Sequence, residues 1–275
     1  APQRLYSNRT DAESTDDGDV EFFTSDGFKL GSGLNLNNNG DGNVFWCWKA
    51  NGSGVSNTDG NVTSTVSADT TSGFSVVTWT GDESVSDQIG HGLSQKPDWI
   101  FARRRDGTHA WVVWGEAIGT ASNSRLFLNT TDAISTTGSI GASTNTYFAY
   151  DVGGGESWLA YCFHSVEGFS KFGSYQGGSD PFVYLGFEPA MIIFKRSTGT
   201  TTHWAIRDNA RKTDNPNRNT LYPSKTDAEY TGTAHDIDFL SNGFKIRNDD
   251  GLFDASATYI YAAWAKTPFK YGTGV

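Results

Sequence analysis

Short runs rich in β-branched and aromatic residues recur along the chain, and pairs such as Asp59-Gly60, Asp106-Gly107 and Gly177-Gly178 separate them. Such runs between turn-forming residues are typical of β-strands. Two of them, Trp158–Phe163 and Met191–Phe194, are apolar on both faces, which predicts central strands covered on each side. The clearest predicted strands are Phe74–Thr80, Asp98–Arg104, Ala110–Trp114, Thr146–Tyr150, Ser157–Phe163, Phe182–Phe187, Ala190–Lys195, His203–Arg207 and Thr258–Ala265.

The chain contains three versions of one octamer. They are Leu5–Ala12 (LYSNRTDA), Leu126–Ala133 (LFLNTTDA) and Leu221–Ala228 (LYPSKTDA), which share a leucine, an aromatic residue and a closing Thr-Asp-Ala. After the first and third copies, Ser25–Leu30 also matches Ser241–Ile246. Self-similarity of this kind indicates a repeat architecture.

The stretches ahead of the second and third octamers align as well. Gly73-Phe74-Ser75 matches Gly168-Phe169-Ser170, Pro97 matches Pro189, Trp111 matches Trp204, and the two octamers start 95 residues apart (221 − 126). We therefore predict an all-β fold of tandem antiparallel β-sandwich units of about 95 residues. The C-terminal half of a first unit covers 1–68, the second unit covers 69–166 and the third covers 167–275.

A half unit is an unusual start for a folded chain, because half a sandwich exposes an apolar face and open strand edges. We expect other polypeptide to cover this face. An upstream segment is the favoured source, and strands added from another chain are the alternative.

Charge and cysteine content narrow the partners. The formal net charge is −10, the acidic residues are scattered through predicted loops, and there is no basic stripe. Nucleic acid and anionic membranes are therefore poor partner candidates. No apolar run approaches the roughly 20 residues that span a bilayer. Cys47 and Cys162 hold equivalent places in different units, so we predict two buried free thiols rather than a disulfide.

Residues that serve in common catalytic or metal sites show no matching pattern. The five histidines lack metal-ligand spacing, so we predict no zinc site and no cofactor. Glycoside hydrolysis needs paired carboxylates in a cleft, and the candidate glutamates stand in no recognisable catalytic setting: Glu83, Glu116, Glu156, Glu167 and Glu188. We predict no catalytic residue and no enzyme.

Three other features have both a structural and a ligand-binding interpretation. The loops Asn37–Asn43 and Asn248–Asp254 supply oxygens that suit a structural Ca²⁺, although a polar hairpin turn is the interpretation we favour. The basic run Arg103–Arg105, with a weaker counterpart in Lys195-Arg196, is interpreted as a strand end facing acidic loops, with anion binding as the alternative. Aromatic rings that would stack on sugars, rather than fill the core, are Trp46, Trp48, Trp79, Trp114 and Tyr175.

Several motifs together resemble a known family. They are Ser25–Phe28, Phe45–Ala50, Gly90–Leu93 ahead of Pro97, Ala160–Phe169, Leu240–Lys245 and the closing stretch Tyr259–Lys270. The chain resembles the repeat-bearing C-terminal regions of tailed-bacteriophage virion proteins, which include tail-fibre proteins. The resemblance covers nearly the whole chain and implies a component on the virion exterior.

The leading hypothesis is a bacteriophage virion structural protein, a tail fibre or an appendage on the capsid or tail surface. It would form homo-oligomers, contact other virion proteins and present loops to host-surface glycans. A free-standing lectin-like carbohydrate-binding module is the alternative, and a polysaccharide depolymerase is a second alternative.

Overall fold

In this computed structural model, residues 2–15, 18–33, 36–82, 87–119, 123–138, 140–199, 201–247, 253 and 256–267 are described. Within these ranges the chain is all-β, and its helical elements are two single 3-10 turns, Glu116–Ile118 and Thr233–His235. The scarcity of helix follows from a sequence of β-branched, aromatic and glycine residues.

The strands are short and antiparallel to their neighbours. In chain order they are β1 (Gln3–Arg4), β2 (Ser14–Thr15), β3 (Val20–Phe23), β4 (Phe28–Leu30), β5 (Val55–Asn57), β6 (Ser64–Asp69), β7 (Phe74–Thr80), β8 (Gln88–Gly90), β9 (Trp99–Arg104), β10 (Val112–Gly115), β11 (Leu126–Phe127), β12 (Ile140–Ser143), β13 (Tyr147–Tyr150), β14 (Ser157–Phe163), β15 (Ser170–Gln176), β16 (Phe182–Tyr184), β17 (Pro189–Arg196), β18 (Ala205–Asp208), β19 (Ile237–Leu240), β20 (Gly243–Ile246) and β21 (Thr258–Ala265).

Four sheets carry most of the structure. Sheet I has seven strands in the order β11-β10-β9-β14-β7-β6-β5, and sheet II has the order β12-β13-β8. Sheet III has the order β15-β21-β17-β18, and sheet IV has the order β16-β20-β19. Two further hairpins, β1-β2 and β3-β4, lie in the N-terminal segment.

Three apolar clusters hold the sheets together. Sheets I and II enclose the first cluster, which includes Val77, Ile100 and Phe148. Sheets III and IV enclose another, which includes Phe194 and Phe244. The opposite faces of sheets I and III meet in a third cluster with many aromatic rings, among them Trp99, Trp111, Phe163, Trp204 and Trp264. We call this third cluster the hub.

The structure confirms the predicted bounds of β7, β14 and β21 and the burial of both faces of the central strands. Five predicted strands are shorter than expected: Asp98–Arg104, Ala110–Trp114, Thr146–Tyr150, Phe182–Phe187 and His203–Arg207. Phe182–Phe187 ends at Tyr184 because Gly186 turns the chain with a φ of +90°. Ala110–Trp114 begins at Val112, since the Trp111 N–H donates to the Asn129 side chain at 2.9 Å instead of a ladder carbonyl.

The two cysteines differ in exposure. Both are free thiols, as predicted. Cys162 is fully buried between sheets I and II, and burial raises the pKa of its thiol. The prediction that both thiols are buried is wrong for Cys47, which is exposed. The reason is that, among the described residues, no strand pairs with residues 43–51, so no flanking strand shields the Cys47 thiol.

Candidate functional site

A polar cleft of about 390 Å³ opens on sheet I, where β6, β7 and β14 lie side by side. In the strand register Thr65 lies opposite Thr78, and Thr80 lies opposite Ser157. Hydroxyl-bearing residues from three strands therefore share one surface. The lining consists of Asn61, Val62, Thr63, Thr65, Thr78, Trp79, Thr80, Asp82, Arg105 and Ser157.

The threonines give this cleft its chemistry. Within the part of the chain that the structure describes, the hydroxyls of Thr63, Thr65, Thr78 and Thr80 make no hydrogen bond. Each hydroxyl has one donor hydrogen and two acceptor lone pairs to offer a ligand. A row of such groups on a rigid sheet suits a polyhydroxylated ligand, because several hydrogen bonds form without reorganising the strands.

Arg105 closes one wall of the cleft and is held in place by the N-terminal segment. Its Nε and Nη2 donate to the two carboxylate oxygens of Glu13 at 2.8 and 2.9 Å. The backbone adds a further tie, since the Glu13 N–H donates to the Arg105 carbonyl at 2.7 Å. This fork-to-fork pair fixes the guanidinium and neutralises its charge. The wall is therefore better suited to a neutral sugar than to a free anion.

The five candidate stacking residues do not share one surface. Trp79 and Trp114 are 4% and 5% exposed and belong to the cluster between sheets I and II. Trp46 and Trp48 are half-buried against the hub. Tyr175 is half-buried, stacks on Tyr259 at 4.9 Å and donates its hydroxyl to the Phe253 carbonyl at 2.9 Å. Of the five, Trp79 lines the threonine cleft, and the stacking role stays a prediction.

The candidate carboxylates point to separate partners. Glu116 pairs with Lys96, Glu156 with Arg104 and Glu188 with Lys266. Glu83 lies outside the described residues. These pairs occupy different ion-pair settings rather than one shared carboxylate site.

The two polar loops, for which a hairpin turn is the favoured interpretation and a structural Ca²⁺ the alternative, are described only in part. In the first loop, side-chain amides satisfy local groups: Asn37 donates to the Gly31 carbonyl at 2.7 Å and Asn38 donates to Asp41 at 2.9 Å. Most of Asn248–Asp254 lies outside the described residues. Among the residues that are described, no group of three or more His, Cys, Asp or Glu side chains could hold a metal ion.

A second pattern, which sequence reasoning missed, links the octamers to the sheets. The indole Nε1 of Trp111, directly ahead of β10 of sheet I, donates to the Tyr6 carbonyl in the first octamer at 2.8 Å. The indole Nε1 of Trp204, beside β18 of sheet III, donates to the Phe127 carbonyl in the second octamer, also at 2.8 Å. Tyr6 and Phe127 hold the same place in their octamers. The same contact therefore occurs twice.

A buried cation accompanies each of these contacts. The Arg103 guanidinium donates to the Asp11 carbonyl of the first octamer, and the Lys195 Nζ donates to the Thr131 carbonyl of the second octamer at 3.0 Å. Burial lowers the pKa of Lys195 to about 8, although the nearby Asp132 raises it. The basic strand ends, which the sequence predicted to face acidic loops, therefore donate hydrogen bonds to octamer carbonyls. In the sequence, a tryptophan and a basic strand end ahead of an octamer are the signal that could have predicted these contacts.

In the described part of the chain, no helix has the length and apolar character needed to cross a membrane.

A family model described as a domain of unknown function (DUF7483) matches residues 1–268. The comparison with curated proteins gives no match, and the comparison with solved structures gives none either. The family match therefore covers nearly all of the chain and assigns it no chemistry.

Proposed function

The chain belongs to the DUF7483 family, and from that premise we propose that it is a structural component of a tailed-bacteriophage virion. It would form a tail fibre or a surface appendage on the tail or capsid, assemble as a homo-oligomer and contact host-surface glycans. The sequence resemblance to phage virion proteins supports the virion role. The threonine cleft is the observation that supports glycan binding.

The proposal includes tandem copies of one sandwich unit. When the four strands of sheet III are numbered in chain order, they lie across the sheet as first, fourth, second and third. The strands β7-β14-β9-β10 within sheet I lie in the same order. Sheet IV likewise repeats the order of sheet II. Gly73 and Gly168, aligned by sequence, both have a positive φ, +68° and +74°. The twofold occurrence of the indole contact adds further support.

Glycan binding rests on the free threonine hydroxyls. Two paired strands present Thr65 and Thr78 opposite each other, and the sheet beneath is held by a buried apolar cluster. A preorganised surface loses little conformational entropy when a ligand binds. Replacing a hydroxyl with a methyl group removes the hydrogen bond while keeping the side-chain shape.

The glycan proposal is tested with the whole chain on a glycan array. The double variant Thr65→Val, Thr78→Val should lose at least about tenfold in affinity for any glycan that the unaltered chain binds, because each lost hydrogen bond contributes about 1 kcal/mol. Thr136→Val, an exposed substitution in a separate loop, is the matched control and should bind normally. Equal binding by all three proteins would contradict the cleft assignment.

The virion proposal is tested on purified phage particles that carry this sequence. Mass spectrometry should detect the chain in the particles, and gold-labelled antibody in electron microscopy should mark a symmetric appendage. A chain that is found only as a soluble monomer with glycan affinity would contradict the virion proposal and favour the free-standing lectin.

A further inference from the structure

Three aromatic rings from distant parts of the chain meet in the hub. Trp48 lies 6.1 Å from Phe163 and 5.1 Å from Trp264, and Phe163 lies 5.6 Å from Trp264, measured between ring centroids. Phe163 is the last residue of β14, the central strand of sheet I, and Trp264 lies near the end of β21, one of the two inner strands of sheet III. The segment 43–50 therefore packs against the hub in the same way as β14 and β21 and occupies the position of a third inner strand.

Residues 44–50 alternate like a strand. Val44, Trp46, Trp48 and Ala50 are half-buried, and the last three pack against the hub. The residues between them are exposed, and Phe45 is 39% exposed. This period of two is the pattern of a β-strand with one buried face.

The exposed face of this segment corresponds to buried faces elsewhere. When Trp48 is aligned with Phe163, Cys47 matches Cys162, which is 0% exposed. When Trp48 is aligned with Trp264, Cys47 matches Ala263, which is also 0% exposed. In both sheets this face packs against a second sheet and lies between flanking strands.

Part of that second sheet is present in the N-terminal segment. In the β3-β4 hairpin, Phe23 pairs with Phe28 as Phe239 pairs with Phe244 in sheet IV. Phe28 also contacts Phe45 with ring centroids 4.8 Å apart, which parallels the 5.8 Å contact between Phe244 and Tyr261. Yet Phe23 is 73% exposed, whereas Phe239 is 8% exposed.

The backbone edges of the segment are open as well. Strands β7 and β9 flank β14 on its two sides, and β15 and β17 flank β21. By contrast, the backbone of residues 44–50 makes no hydrogen bond to any other part of the chain that is described. Unpaired edges beside an apolar face form a template for strand addition.

We propose that this open face receives the front half of a further copy of the repeat, a segment with the strand pattern of β15–β18 joined ahead of Leu5. Two of its strands would pair with the two edges of residues 43–50 and cover Phe45 and Cys47. This inference rests on the tandem arrangement proposed above and is independent of the virion and glycan roles.

The other two copies identify the occupant. In both, the front half comes directly before the octamer in the chain and supplies both flanking strands of the central strand. In a second molecule, β7, β9, β15 and β17 are already engaged in that molecule's own sheets.

Cys47 reports directly on whether this face is covered. The test joins a copy of residues 167–218 ahead of Gln3 in the full chain and measures labelling of Cys47 by a thiol reagent with peptide mass spectrometry. In the unaltered chain, Cys47 should react at the rate of a free thiol, while Cys162 reacts only after unfolding. The added segment should slow Cys47 labelling by at least about a hundredfold, since the thiol then reacts only when the structure opens.

The matched control carries Ile192→Pro in the added copy only, because proline removes a ladder hydrogen bond in a central strand. It should restore fast labelling of Cys47. Unchanged labelling in an extended chain that is folded and monomeric would overturn the proposal. Protection in the unaltered chain that grows with concentration, together with dimers in size-exclusion chromatography, would also overturn it, because a second copy would then be the occupant.

A second measurement decides the matter if the extended chain does not fold. A peptide with the sequence of residues 187–197, added to the unaltered chain, should slow Cys47 labelling in a dose-dependent manner, whereas a peptide with proline at the position of Ile192 should not. No slowing at saturating peptide would overturn the proposal. The tryptophan variants discussed below test the tandem arrangement by itself, so that its failure is distinguishable from a wrong occupant.

Discussion

The substitution Trp204→Phe tests whether the indole contact stabilises the packing between the second octamer and sheet III. Trp204 is 0% exposed, and its Nε1 donates to the Phe127 carbonyl at 2.8 Å. Phenylalanine keeps an aromatic ring in the hub but removes the donor. The Phe127 carbonyl then retains one long contact, 3.5 Å from the Thr130 N–H.

Trp99 provides a matched control for the loss of ring volume. It is also 0% exposed and lies in the hub, with its ring centroid 6.1 Å from that of Trp204. Its Nε1 is buried without a hydrogen-bond partner among the described residues. Trp99→Phe therefore leaves a cavity of similar size and breaks no hydrogen bond. Losing a partner at a buried polar group costs about 1–3 kcal/mol, so Trp204→Phe should destabilise the chain by about that much more than Trp99→Phe.

The assay is urea unfolding of the three proteins, followed by far-ultraviolet circular dichroism. Trp111→Phe, measured alongside, should behave like Trp204→Phe, because its indole makes the same contact at the same distance with Tyr6. Equal free energies of unfolding for Trp204→Phe and Trp99→Phe would refute the role of the hydrogen bond. Different behaviour of the two octamer contacts would refute their equivalence.

Three further substitutions test other parts of the structure. Lys195→Met should remove a pH dependence of the stability, because the pKa of Lys195 is about 8 in the folded chain and near 10.5 in the unfolded chain. As the pH rises from 8 to 10.5, the free energy of unfolding of the unaltered chain should increase by on the order of 3 kcal/mol relative to the variant. Unfolding curves at several pH values measure this difference. Glu13→Gln should cost less than about 1 kcal/mol, because the pair with Arg105 is partly exposed, and a cost that does not shrink in high salt would contradict this. Gly73→Ala should lower the melting temperature more than Gly155→Ala. Both glycines have a positive φ, but only at Gly73 would the new Cβ meet the His164 carbonyl oxygen, at 2.7 Å. Equal melting temperatures for the two alanine variants would exclude the close approach as the cause.

The sequence predicts the central strands well and the peripheral strands poorly. β14 and β21 are continuous apolar runs, and their burial on both faces leaves one interpretation. β15, with the sequence SKFGSYQ, contains a glycine and polar residues on a half-buried edge strand, so its pattern resembles a loop. Its position comes from pairing with β21 along its whole length, a contact between residues far apart in the chain.

The candidate site shows the same limit. Aromatic residues were the expected sugar platforms because their stacking chemistry is visible in a sequence. The structure buries Trp79 and Trp114, and the exposed polar surface comes instead from threonines on β6 and β7. Thr65 and Thr78 are neighbours through strand register alone, and register depends on which strands pair.

The atoms that accept the indole hydrogen bonds explain why the first and second octamers differ in sequence and still make the same contact. In both observed cases the acceptor is a backbone carbonyl, that of Tyr6 or that of Phe127. A carbonyl acceptor places no demand on the side chain that carries it, so tyrosine and phenylalanine serve equally. The donor must be a long side chain with a polar hydrogen, and in both cases it is an indole, that of Trp111 or that of Trp204. A tryptophan and a basic strand end therefore recur in both cases, while the octamer residues that supply the carbonyl acceptors differ in their side chains.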